Sequence, residues 1–183
     1  MSHAESVTIH HADAADRSAI LAIHSVAFPD EPVAELTDAL LADCTAAPMV
    51  SLVAVADGKS VGHILFTAAA LQPETAYRVA LLAPLGVVPA YQKRGIGGML
   101  VANGLACLTR AGVRLVFVLG YPAYYTRFGF VTAGGRGFAA PYPIPPQHAD
   151  AWMMQALYDG IPEAYAGTVH CAHALDRPEY WRE

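Results

Sequence analysis

Near the middle of the chain, Gln92-Lys93-Arg94-Gly95-Ile96-Gly97-Gly98 combines three glycines and two cations just ahead of a long apolar run. Between a buried strand and a helix, such a turn gathers backbone N–H groups and positive charge at a helix N-terminus. That arrangement traps anions, a pyrophosphate above all. Glycines alone would equally serve close packing where a strand meets a helix, and that reading stands beside the first. A dinucleotide fingerprint wants an acidic residue about 20 positions further on. The stretch from Gly112 to Phe117 has none, and the Gly-Lys-Ser/Thr of a P-loop is absent.

Other chemistry-bearing residues give weaker signals. His170 and His173 would point to opposite faces of a strand, as would His10 and His11, so neither pair suits one metal ion and no metal site is expected. Cys44, Cys107 and Cys171 are odd in number and far apart, which predicts reduced core cysteines rather than a disulfide framework. Pro29-Asp30-Glu31 makes the connection between the first two helices acidic, and Glu35 follows on the second helix.

The elements that must position these groups can be read in order. Val7 to His11 predicts a strand. Asp13 is an N-cap for a helix from Ala14 to Phe28, with Ile20, Leu21, Ile23, His24 and Ala27 at helical spacing. Pro32 opens a second helix ending near Asp43, with Leu36, Leu40 and Leu41 as its stripe. Met49 to Ala56 and Ser60 to Ala70 form a hairpin about Asp57-Gly58-Lys59, and a further strand runs from Arg78 to Val88. The helix from Gly97 to Ala111, apolar nearly all round, stops at Gly112 and belongs in the interior. Arg114 to Leu119 is a buried strand, and Tyr121-Pro122 opens a short helix ending at Gly129. Thr132 to Asp150, rich in glycine and proline, predicts a functional flap. Two closing strands, Ala151 to Tyr158 and Gly167 to Leu175, join around Gly160 and Pro162.

With 183 residues, 55% of them apolar and 15% charged, the chain predicts one compact domain over 1–183 with its core in about 7–175. The net charge of −5 gives no support to a nucleic-acid partner. No apolar run is long enough to span a membrane, and no secretory signal is visible, so a cytoplasmic location is expected.

Leu85-x-Val87-x-Pro89-x-Tyr91-Gln92-x-x-Gly95-x-Gly97 closely resembles the acetyl-CoA-binding core of the GCN5-related N-acetyltransferases (GNAT), whose signature is Gln/Arg-x-x-Gly-x-Gly/Ala after a strand. Tyr125-Thr126-Arg127-Phe128-Gly129-Phe130 is similar to that family's Tyr-x-Lys/Arg-x-Gly-Phe segment. The element order agrees from about Val7 to Leu175. The resemblance implies an α/β (α+β) acyl-CoA N-acyltransferase fold: a mixed, mostly antiparallel sheet with splayed central strands, flanked by helices.

It also implies roles. Backbone N–H groups of Lys93, Arg94, Gly95, Ile96, Gly97 and Gly98 would hold the coenzyme A pyrophosphate, with Gln92 belonging to the same turn. Leu85, Gly86 and Val87 would lie along pantetheine, and an N–H near Val87 would polarise the thioester carbonyl, an interaction worth roughly 3–4 kcal/mol in other enzymes. Pro84 would mark the place where the strand parts from its neighbour. Tyr125 stands where the family has a tyrosine general acid, with Tyr124 beside it.

The pattern departs at Ala83, where many members carry a glutamate base; Glu31, Glu35, Glu74 and His63 are the other candidates. It departs again at Gly120-Tyr121-Pro122, where an asparagine often contacts pantetheine. The sequence therefore predicts an acetyl-CoA-dependent N-acetyltransferase that works by direct attack in a ternary complex. Its acceptor would be a small amine or a peptide or protein amine, framed by Asp30, Glu31, Glu35 and the flap with Tyr142. The alternatives are a non-catalytic acyl-CoA-binding or regulatory module and a nicotinamide-dependent enzyme. Pairing of the two late strands between subunits would make a homodimer.

Overall fold

The computed structural model describes residues 6–160 and 165–182. Among these, nine strands form one connected system: β1 (Thr8–His11), β2 (Val50–Ala56), β3 (Lys59–Gln72), β4 (Arg78–Val87), β5 (Val113–Leu119), β6 (Val131–Thr132), β7 (Phe138–Ala139), β8 (Trp152–Ala156) and β9 (Gly167–His170). The main sheet runs β1-β2-β3-β4-β5-β8-β6, and β9 pairs with the far end of β3 and with β7. Pairing is antiparallel except for β4 with β5 and β7 with β9.

Local chemistry sets these elements. Asp57 and Gly58 both have positive φ, 51° and 71°, the pair that a tight two-residue hairpin turn requires. Asp13 caps Ala15 N–H at 2.7 Å and Asp16 returns the favour to Asp13 N–H, so a 3-10 turn precedes α1 (Arg17–Ala27). The helices α2 (Val33–Ala42), α3 (Ile96–Arg110) and the short α4 (Pro122–Tyr125) follow in turn.

Two apolar cores sit on the two faces of the sheet. On one, α3 lays Ile96, Leu100, Val101 and Leu108 against Ile64, Phe66, Leu82 and Val116. A Cβ on Gly104 would overlap the Phe66 ring, so this glycine lets helix and sheet approach closely. On the other face, Leu40, Leu65, Phe117, Phe138, Trp152 and Trp181 gather under α2 and the late segments.

Several sequence expectations change here. The helix α3 is not interior all round, because Met99, Ala102, Asn103, Ala106 and Arg110 face solvent. None of the three cysteines is fully buried, and Cys44 is exposed. The expected flap is largely stitched down: β6 pairs with β8, β7 with β9, and Trp152 Nε1 donates to Phe138 O at 3.0 Å. The late strands do not pair with each other. β8 lies between β5 and β6, and β9 between β3 and β7, so the open edges invoked for pairing between subunits are already occupied. The turn expected at Pro162 falls outside the described residues. No helix among them is long and apolar enough to cross a membrane.

Candidate active site

The parallel ladder between β4 and β5 stops at Leu82 opposite Val118. The next residues on β4 are Ala83 and Pro84, and proline has no N–H to continue a ladder. On its other side β4 resumes pairing with β3 after an irregularity, at Leu85–Ile64, Gly86–His63 and Val87–Gly62. The edge of β4 that faces β5 thus loses its partner from Ala83 onward, and the two strands part. A cavity of about 920 Å³ occupies the opening, with Leu82 to Val87 on one wall and Val118, Leu119 and Gly120 on the other.

One end of this cavity is the first turn of α3. Gly95 takes φ 83°, and Lys93 φ 61°, a left-handed conformation that costs a non-glycine residue about 1 kcal/mol or more. The helical ladder opens with Met99 N–H donating to Gly95 O at 3.0 Å, and no side chain caps the helix. The N–H groups of Gly95, Ile96, Gly97 and Gly98 precede that ladder, and all four residues line the cavity. Gly97 must be small, since a Cβ would overlap the Tyr124 hydroxyl.

Of the residues singled out in the sequence, Leu85, Gly86, Val87, Gln92, Lys93, Gly95, Ile96, Gly97, Gly98 and Tyr125 all line this cavity. Arg94 does not; its guanidinium lies over the Tyr91 ring at 5.0 Å. The Gln92 side chain turns back and donates to Val87 O at 2.9 Å, which ties the turn to the end of β4. Arg127 is a further cavity cation that the sequence motifs did not single out. It lines the wall, stacks on Tyr124 at 4.6 Å and donates through Nε to Tyr124 O. The basic position within Tyr-x-Lys/Arg-x-Gly-Phe was its only sequence signal.

Tyr125 is 8% exposed, with its ring wedged between Gly120, where a Cβ would fall 2.6 Å away, and Phe130. Burial raises the pKa of the neighbouring Tyr124. Tyr121, 82% exposed, stands at the cavity wall beside Gly120.

The base candidates separate cleanly. His63 is fully buried and does not line this cavity. Its Nδ1 is 2.8 Å from His24 Nε2 and its Nε2 is 2.9 Å from Ser51 Oγ. Burial holds His24 down at about 4, and burial with repulsion from His24 holds His63 at about 3, so both rings are neutral at pH 7. His24 Nδ1 has no hydrogen-bond partner and sits against Gly86, where a Cβ would fall 2.7 Å from it. The pair braces the α1 side of β4. Glu35, Glu74 and Asp30 do not line this cavity, and Tyr142 instead donates to Asp176 Oδ1 at 2.9 Å. Glu31 does line the cavity, and so does Ala83.

The cavity thus combines a split parallel strand pair with an uncapped glycine-rich helix start. The chain belongs to the GNAT family: the model of the acetyltransferase (GNAT) domain matches residues 8–133. It is 44% identical over 167 residues to the uncharacterised N-acetyltransferase YjhQ of Escherichia coli K12, covering 90% of this chain and 92% of that one. It is 33% identical over 129 residues to the uncharacterised N-acetyltransferase YhbS of the same strain, covering 70% and 75%. The solved structure of Escherichia coli YhbS in complex with CoA superposes with TM-score 0.85 at 28% identity, over 97% of this chain and 96% of that one. A GNAT family acetyltransferase from Brucella melitensis in complex with acetyl-CoA gives 0.73 at 30% identity, over 94% and 99%. The chain is an acyltransferase of this family.

Proposed function

We propose that this protein, acting as one GNAT domain over 1–183 in the cytoplasm, transfers an acetyl group from acetyl-CoA to an amine within a ternary complex. One observation carries the reading: the first turn of α3, Gly95 to Gly98, whose N–H groups precede the helical ladder, lines the slot left where β4 and β5 part. The residues present fit the cofactor along its length. Gly95 to Gly98 offer N–H groups to the pyrophosphate, and Lys93 and Arg127 add charge at the same end. The unpaired edge of β4 from Leu85 to Val87 suits the amides of pantetheine, as an added strand would. The YhbS and Brucella melitensis structures that superpose on this chain are complexes with CoA and acetyl-CoA, which supports the reading.

Acetyl-CoA supplies an activated acetyl thioester. The Val87 N–H donates to the carbonyl oxygen, drawing charge onto it as the amine approaches. Nitrogen–carbon bond formation breaks the carbon–sulfur bond, and the Tyr125 hydroxyl gives its proton to the departing sulfur. Bulk solvent then reprotonates Tyr125. The amine nitrogen loses its proton to a carboxylate or water on the other side of Ala83. Release of free thiol from acetyl-CoA, followed with a panel of amines, tests the reading. Amine-dependent thiol release is expected; tight cofactor binding with no release for any acceptor would favour a non-catalytic acyl-CoA-binding module.

A further inference from the structure

A second cavity, of about 430 Å³, opens beside the first, within the range of small-molecule sites. Glu31, Val33, Leu82, Ala83 and Leu119 line both, so the two meet beside the point where the strands part. The rest of the wall is chiefly apolar, with Leu36 from α2 and Leu175, Tyr180 and Trp181 from the end of the described chain. Among the described residues its two charged groups are the carboxylates Glu31 and Glu179, and no cation lines it.

The late segment that forms this wall is firmly seated. Asp43, just after α2, accepts Ala174 N–H at 2.9 Å, and Thr45 Oγ1 accepts His173 N–H at 2.9 Å. Trp181 is 3% exposed, packs against Trp152 and donates through Nε1 to Leu175 O at 3.0 Å. The wall is therefore a fixed surface.

Resting on the acetyl-CoA reading above, we propose that this second cavity takes the acceptor. The acceptor is a small amine on an aromatic or branched apolar body, without a carboxylate of its own. The body packs on Leu36, Leu175 and Tyr180. Glu31 and Glu179 draw the ammonium in, and Glu31, common to both cavities, takes the proton that the nitrogen loses before it attacks. An amino acid would set its carboxylate against two others with no cation to balance it. A sugar amine would bury hydroxyls against hydrocarbon.

Phenethylamine, phenylalanine, glucosamine and a lysine peptide, compared with the full chain and acetyl-CoA, test this. Phenethylamine should give a kcat/KM at least 10-fold above each of the others. Glu179→Gln should raise its KM 5- to 10-fold while the KM for acetyl-CoA stays within 2-fold. Calorimetric titration of phenethylamine into protein saturated with coenzyme A should show binding that Glu179→Gln weakens by the same factor. Equal turnover of phenylalanine, preference for glucosamine or the peptide, or an unchanged KM in Glu179→Gln would overturn the proposal. Coenzyme A affinity, measured alone, separates the two levels. Its absence overturns the acetyl-CoA reading and this one together; its presence without phenethylamine binding overturns this one only.

Discussion

The two sides of β4 are built from different materials. Toward α3, the proposed cofactor slot offers chiefly backbone: the helix-start N–H groups of Gly95 to Gly98 and the edge of β4 that β5 leaves, backed by a hydrocarbon core in which Gly104 meets Phe66. On the α1 side, the wall is made of side chains: the neutral His24–His63 pair under Gly86, then Glu31, Glu179 and the aromatic late segment around the second cavity. Backbone recognition suits a ligand that is always the same. Side-chain recognition suits one that differs between relatives, because substitution can change it without disturbing the strands.

The sharpest way to break this contrast is to attack the backbone site. Gly97→Glu adds bulk against Tyr124 and a negative charge at the helix start, so acetyl-CoA affinity should fall at least 100-fold in calorimetry, with the circular dichroism spectrum retained. Unchanged affinity would place the cofactor elsewhere. The next effect separates the adjacent tyrosines. Tyr125→Phe should lower kcat about 100-fold and leave the acetyl-CoA KM within 2-fold. Tyr124→Phe, altering a hydroxyl against Gly97, should act mainly on that KM. If the two profiles are exchanged, the proton donor is Tyr124.

A pH titration of stability distinguishes the two faces. Both histidines have folded-state pKa values below the ordinary 6.5, so their contribution is full above about 6.5 and is lost as pH falls toward 4, where the unfolded chain binds protons that the folded one refuses. With about 1.4 kcal/mol per tenfold difference in proton affinity, the loss is on the order of 3 kcal/mol or more in urea unfolding between pH 7 and 4.5. A flat profile over that range would mean the pair is not buried as described. On the opposite face, Gly104→Ala should cost about 1–3 kcal/mol at every pH, because Phe66 must shift in a packed core. Smallest is Arg127→Gln, which should weaken acetyl-CoA about 5-fold and flatten the salt dependence of binding.

The same contrast explains what was legible in the sequence. Local rules were enough for the Asp57-Gly58 turn, the Gly112 stop and a helix start within the glycine turn, one residue ahead of the expected Gly97, because each is fixed by the backbone of the residues themselves, while the parting at Pro84 was read from the family resemblance. Side-chain partners brought together from distant positions were not legible. Nothing in the spacing links His24 to His63, 39 residues apart, or seats Glu179 and Trp181 beside Glu31. The expected core stopped near Leu175, yet Trp181 is buried, since the wall it completes is assembled only when Asp43 captures the chain at Ala174. Arg94 is off the cavity and Arg127 on it for a similar reason: Tyr91 stacks under the first, and the second bonds back to Tyr124 O.

The most direct test of the central claim is a crystal structure with acetyl-CoA bound. Pyrophosphate oxygens are expected within hydrogen-bond distance of the N–H groups of Gly95 to Gly98, and the thioester between Val87 and Tyr125, where β4 and β5 part. A pyrophosphate bound away from the start of α3, or a thioester outside that opening, would contradict it.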